Sequence, residues 1–193
     1  MPVLPVSFFG RPALTVARDL LGKELVRKTE AGLLSGMITE VEAYIGPQDK
    51  ACHAHKGLTP RTEVMFGPPG HWYVYFVYGM YWMLNIVTGE EGYPAAVLIR
   101  GITINKTEGI KEIKETEDYV LSGPGKLTRK MQVDRKLNGM RADESSGLWI
   151  EDRGLKVSSS KIIRTPRIGV SYAKEWAHKP YRFVLTGVGN NGV

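Results

Sequence analysis

The sequence predicts an α+β fold built as one domain, and three observations carry that prediction. Apolar residues alternate at period two in several segments, apolar stripes at helical spacing are few and short, and the two kinds of segment do not follow one another regularly. A doubly wound sheet needs that regular succession. With 193 residues the chain can bury one sizeable core, so residues 1–193 read as a single domain whose last residues, 186–193, form a loose tail. Apolar residues make up 42% and charged residues 24%, which excludes disordered and collagen-like classes. No apolar run reaches the roughly 20 residues of a membrane helix.

Residues 11–21 read as a helix: Pro12 suits its first turn, Leu14, Ala17, Leu20 and Leu21 make an apolar stripe, and Gly22 stops it. A strand follows at 24–28. Residues 34–44 alternate, with Met37, Thr39, Val41 and Ala43 on one face and Ile38, Glu40, Glu42 and Tyr44 on the other. The Gly- and Pro-rich stretch 45–70 reads as a long ordered loop, a kind that is usually functional when it is ordered. In residues 71–87, aromatic and β-branched side chains flank Gly79, which predicts a β-hairpin turning near Tyr78-Gly79-Met80. A strand at 95–100 is apolar up to Arg100. Residues 106–120 predict a marginal surface helix, Ser122-Gly123-Pro124-Gly125 a sharp break, and 126–131 the start of another helix. Short strands are expected at 149–150 and 181–185.

Twenty-six Lys and Arg against twenty Asp and Glu leave a net charge of +6, the balance of a polyanion binder. Cys52 is the single cysteine, so no internal disulfide forms, as suits a reducing compartment. Residues 1–5 lack a basic region followed by an apolar run, so no secretion signal is expected. A cytoplasmic location follows as the default.

Glu40 and Glu42 stand roughly 6.7 Å apart on one face of their strand. Such a face is either solvated or used for chemistry, and the pattern leaves both readings open and does not choose between the carboxylates. Cys52-His53-Ala54-His55 contains metal-ligand types, yet no second cluster has ligand spacing, and no metal site is assigned; His53 suits stacking on or hydrogen-bonding a ligand. Seven aromatic residues fall between Trp72 and Trp82. Some must be core, while the alternate set offers a platform for base stacking, and Tyr78 at the turn suits a wedge between base pairs. Basic residues cluster at Lys126, Arg129, Lys130, Arg135, Lys136 and Arg141, and again at Lys161, Arg164, Arg167, Lys174, Lys179 and Arg182. Either run is a solvated face or a phosphate track; Gly123 and Gly125 ahead of Lys126 favour close approach of a phosphate.

The motifs E-A-Y-x-G-P (42–47) and Y-V-Y-x-x-Y-G-M (73–80), with AAVLIRG at 95–101, LSGPGKLTRKM at 121–131 and PRIGVSYAKEWAHKPYRF at 166–183, resemble the alkyladenine (3-methyladenine) DNA glycosylases. The resemblance spans about residues 7–185. It implies a curved, mainly antiparallel sheet with peripheral helices and a protruding, DNA-intercalating β-hairpin. It also implies a monofunctional base-excision-repair enzyme that hydrolyses the glycosidic bond of a flipped purine without a cofactor.

By residue, the resemblance makes Glu42 the general base, with Glu40 supporting it. The attacking water is held also by Arg100 and the Val170 carbonyl. Tyr44, His53 and Tyr75 stack on or hydrogen-bond the base, Asn85 rejects guanine, and Tyr78 intercalates. Arg61, Met80 and Lys126 correspond to DNA-facing or supporting positions. Between His53 and Thr59 the chain is one residue shorter than the family's human member. Damaged double-stranded DNA is then the expected partner of a monomer, in the nucleoid region of a bacterium or the nucleus of a eukaryote. Two other classes stand beside this reading. A non-catalytic binder of damaged DNA or structured RNA would not need Glu42, Arg100 and Asn85 together, and a nuclease would need metal carboxylates or a histidine pair.

Overall fold

The computed structural model describes residues 1–30, 32–104 and 119–187. In chain order the elements are α1 (Val6–Phe9), α2 (Ala13–Leu20), β1 (Glu24–Thr29), β2 (Gly32–Tyr44), β3 (Trp72–Val77), β4 (Tyr81–Thr88), β5 (Ala95–Ile104), β6 (Tyr119–Ser122), α3 (Pro124–Lys130), β7 (Leu148–Glu151), β8 (Ile162–Thr165) and β9 (Arg182–Leu185). The fold is α+β. Its nine described strands form an open sheet of order β3-β4-β5-β2-β1-β7, with β6 on β5 and β9 joining β2 to β8. The ladders are antiparallel.

Pro12 precedes α2, which buries Ala13, Val16, Ala17 and Leu20; of the expected stripe Ala17, Leu20 and Leu21 are buried, while Leu14 is half-buried at its edge and Ala13 and Val16 join it. After Leu21 the chain reverses at Gly22, whose φ of 82° is left-handed and favours glycine. The helix packs on β2 and β5, over Ile38, Val41, Ala43, Val97, Ile99 and Ile102. Each fully buried isoleucine there contributes about 1.5–3 kcal/mol.

The centre of the sheet departs from simple alternation. Ile38 pairs with Ile102, Glu40 with Gly101 and Val41 with Ile99. Thr39 is therefore an extra residue on β2, and Arg100 an extra residue on β5. These two facing bulges correct the expected side-chain pattern: Ile38 lies in the core with Val41 and Ala43 instead of sharing a face with Glu40 and Glu42. Each bulge shifts the alternation by one residue and re-aims the next side chain. Gly101 permits the arrangement, since a Cβ there would lie 3.0 Å from the Glu40 Cβ.

Loop 45–70 is ordered and includes single 3₁₀ turns at His53–Lys56 and Glu63–Phe66. The 95–100 strand extends to Ile104, and α3 begins at Pro124, two residues before the expected start, because Pro favours the first helical position. The expected 106–120 helix falls mostly outside the described residues; Tyr119 and Val120 belong to β6. Most of the expected tail, 188–193, also lies outside them. The patterning reveals neither four-residue α1 nor four-residue β8. Among the described residues no helix is long and apolar enough to cross a membrane.

Candidate active site

The second half of β2 runs between β5 and β9, and this placement buries both glutamates. Glu42 is 0% and Glu40 7% exposed, so the solvated-face reading does not hold. Their surroundings differ. Glu40 Oε1 accepts hydrogen bonds from Arg100 Nε (2.8 Å) and Arg182 Nε (2.7 Å). Glu42 Oε2 accepts from the Tyr44 hydroxyl at 2.9 Å and its Oε1 from the Ile168 N–H at 2.8 Å, with Arg100 Nε 3.4 Å away. Burial raises the Glu42 pKa, while Arg100, the Ile168 N–H and the Tyr44 hydroxyl pull it back down. A carboxylate so held is a stronger base than an exposed one, yet still favours its ionised form through a nearby cation.

Tyr44, Arg100 and Ile168, the three groups in contact with Glu42, line one cavity of about 380 Å³, within the size range of small-ligand sites. The cavity also brings together His53, Tyr75, Asn85 and Val170, with Arg61 and Tyr78 at its wall. Glu42 itself is not among the lining residues and stays buried behind its three contacts, and Met80 and Lys126, which are exposed, do not line the cavity either. His53 Nδ1 lies 3.0 Å from the Tyr73 hydroxyl, and its ring meets Tyr75 edge-on with centroids 4.5 Å apart. Burial, with help from Arg61, pushes the imidazole down to about 4, so it is neutral at pH 7. Arg61 covers the Tyr75 ring at 5.1 Å, and burial raises the Tyr75 phenol. Asn85 Nδ2 donates to the Tyr73 carbonyl at 3.0 Å, which fixes the amide. The Val170 carbonyl accepts from the Ala173 N–H at 2.9 Å and keeps a second lone pair. Burial pushes the Cys52 thiol up to about 11, so it stays protonated.

Several contributors escape the sequence reading. Tyr73 shares the Tyr75 side of β3, and alternation could have singled it out. Ile168 acts through its backbone, so no side-chain pattern signals it. Tyr172, 63% exposed, lines the cavity and donates its hydroxyl to the Ala51 carbonyl at 3.3 Å. Two members of the second basic run turn inward: Arg167 is buried against Asp49, and Arg182 is half-buried on Glu40.

Residues 7–189 match the methylpurine-DNA glycosylase family. The chain belongs to that family. This DNA glycosylase is 54% identical over 187 residues to a protein of Methanocella arvoryzae, with 95% of this chain and 92% of that protein covered. It is 46% identical over 185 residues to one from Legionella pneumophila strain Corby, covering 96% and 95%, and 46% identical over 188 residues to one from Carboxydothermus hydrogenoformans, covering 95% of each. All three carry the name "Putative 3-methyladenine DNA glycosylase". Membership makes the chain a hydrolase acting on DNA, of the kind that repairs alkylation damage.

The glycosylase carries its most exposed aromatic ring beside the cavity. β3 and β4 pair from Trp72↔Ile86 to Val77↔Tyr81, and the Met80 N–H donates to the Val77 carbonyl across the turn at 3.0 Å. Tyr78 and Gly79 have φ of 54° and 65°, the left-handed values that a type I′ turn requires. Gly79 adopts this freely and Tyr78 does not. Tyr78 is 80% and Met80 62% exposed, so neither ring nor thioether repays that strain by packing. α3 braces β4 nearby: Thr128 Oγ1 donates to the Trp82 carbonyl at 3.0 Å, and a Cβ on Gly125 would lie 2.6 Å from the Tyr81 ring.

Proposed function

We propose that the protein flips alkylated or deaminated purines, such as 3-methyladenine, 7-methylguanine, hypoxanthine and ethenoadenine, out of duplex DNA and hydrolyses the N-glycosidic bond. The observation that carries this reading is a buried carboxylate, Glu42, whose contacts Tyr44, Arg100 and Ile168 all line the aromatic cavity. The flipped purine enters between Tyr44, His53 and Tyr75, with Asn85 set against the amino group that guanine carries. Tyr78 fills the gap left in the duplex. A water on the cavity side of Glu42, held also by Arg100 and the Val170 carbonyl, attacks the sugar C1′. Its oxygen forms the new bond, its proton passes to Glu42, and the C1′–N bond breaks with its electron pair leaving on the base.

Glu42 and the developing oxocarbenium charge attract one another through a water-poor site, where such stabilisation is strong. 3-Methyladenine departs neutral because it starts as a cation; neutral hypoxanthine needs a proton or hydrogen bond at the departing ring. Among the described residues no lysine lines the cavity, and an abasic site without strand cleavage is the expected product. The test incubates the protein with duplexes bearing one damaged purine, with and without later alkali. Breaks should appear only after alkali, and Glu42→Gln should bind the duplex yet lose about 10²- to 10⁴-fold in single-turnover rate, the usual worth of a general base. Near-normal turnover by Glu42→Gln would sink the assignment.

A further inference from the structure

Asp49 and Arg167 form a fully buried ion pair that the water-holding groups and the base pocket leave unused. The guanidinium meets both carboxylate oxygens, Nη1 on Oδ2 at 2.5 Å and Nη2 on Oδ1 at 2.8 Å, with both side chains 0% exposed. Its other bonds reach two separate stretches of chain, the Ala43 carbonyl at 2.9 Å and the Trp176 carbonyl at 3.3 Å. Asp49 in turn accepts from the Ile45 and Ala51 N–H groups. The guanidinium also lies over the Tyr44 ring at 4.8 Å and the Tyr181 ring at 5.3 Å. A buried pair of this kind is weak as a stabiliser, because desolvation offsets attraction, but its bidentate geometry fixes orientation.

Both donors to Glu42 hang on this pair. Tyr44 ends β2 under the guanidinium, and Ile168 directly follows Arg167 in the chain. We propose that Asp49 and Arg167 are positioning residues for hydrolysis: they lock loop 45–51 to segment 167–176 around Tyr44, and so hold the Tyr44 hydroxyl and the Ile168 N–H on the two oxygens of Glu42. The inference rests on the reading of Glu42 as general base. Loosening the clamp has two effects at once. The carboxylate loses its aim, and it loses two hydrogen bonds that favour its ionised form, so its pKa moves further up.

The experiment replaces the pair by apolar residues of similar size, Asp49→Leu with Arg167→Met, a change that leaves no unpaired buried charge. Single-turnover excision of 7-methylguanine is then followed against pH, beside duplex binding and thermal melting. The expected result is a folded protein that binds DNA normally and excises on the order of 100-fold more slowly, as a misaimed reacting group does. Its acidic limb should also move to higher pH, a shift that a mere loss of folded protein cannot produce. In the double variant, further Tyr44→Phe should cost less than it does in the unaltered protein. An unchanged rate, or a slower rate with the acidic limb unmoved, overturns the clamp. Should the double variant fail to fold, Asp49→Asn decides by the same limb. Glu42→Gln run in parallel separates the two failures: if it is active, the base assignment is wrong; if it is inactive while the clamp variants behave normally, only the clamp is wrong.

Discussion

His53 shows how burial at single residues ties the pocket to pH. Its folded-state pKa of about 4 lies below the ordinary value of 6.5, so acid protonates the unfolded chain before the folded one. Linkage then makes the His53 contribution to stability complete above pH 6.5 and progressively lost as pH falls toward 4. His53→Gln should flatten the fall in melting temperature across that window; an equally steep fall would place the acid sensitivity elsewhere. The residue type and its loop position were legible in the sequence, but the depressed pKa was not, since it depends on Tyr73, Tyr75 and Arg61 arriving from distant positions. Glu40 and Glu42 make the same point more sharply. Period-two spacing leaves them equivalent, and only folding separates a carboxylate between two arginines from one held by a hydroxyl and a backbone N–H.

At the scale of elements, period and punctuation located most strands, while the facing bulges at Thr39 and Arg100 left no mark in the alternation. A bulge is a property of two strands read together, and one strand's sequence records only its own half. The β3–β4 turn is the opposite case: Gly79 between aromatic runs announced it. Its consequence for Tyr78 is energetic. A tyrosine at φ 54° costs about 1–2 kcal/mol relative to a residue that tolerates the left-handed region, and Asn is such a residue. Tyr78→Asn should therefore stabilise the free protein by about 1 kcal/mol in denaturant melts. In the proposed complex the same variant should lose capture of the flipped nucleotide, read by fluorescence of a reporter base in the duplex. A variant both less stable and fully competent in capture would refute the idea that the turn stores strain for its ring.

For the whole molecule, composition gave a basic chain without saying where its charge lies. Arg167 and Arg182 counted toward an apparent phosphate track, yet burial against Asp49 and pairing with Glu40 remove them from it, a cancellation that charge counting along the chain cannot see. Two of the lysines that remain exposed stand beside different elements. Lys126 sits on α3, which packs against β4 beside Tyr81 and the Tyr78 turn. Lys156 is exposed beside Leu21 and Lys23, next to α2, which covers the sheet face turned away from Glu42. Each lysine on a phosphate releases counterions when DNA binds, so each contributes about one unit to the slope of log affinity against log salt. Lys126→Ala should accordingly lower that slope by about one and weaken damaged and undamaged duplexes alike, whereas Lys156→Ala should leave the slope unchanged although it removes the same formal charge. Equal slopes for the two variants would mean that DNA lies across the protein in some other direction, and that α3 and the β3–β4 turn do not share its binding face.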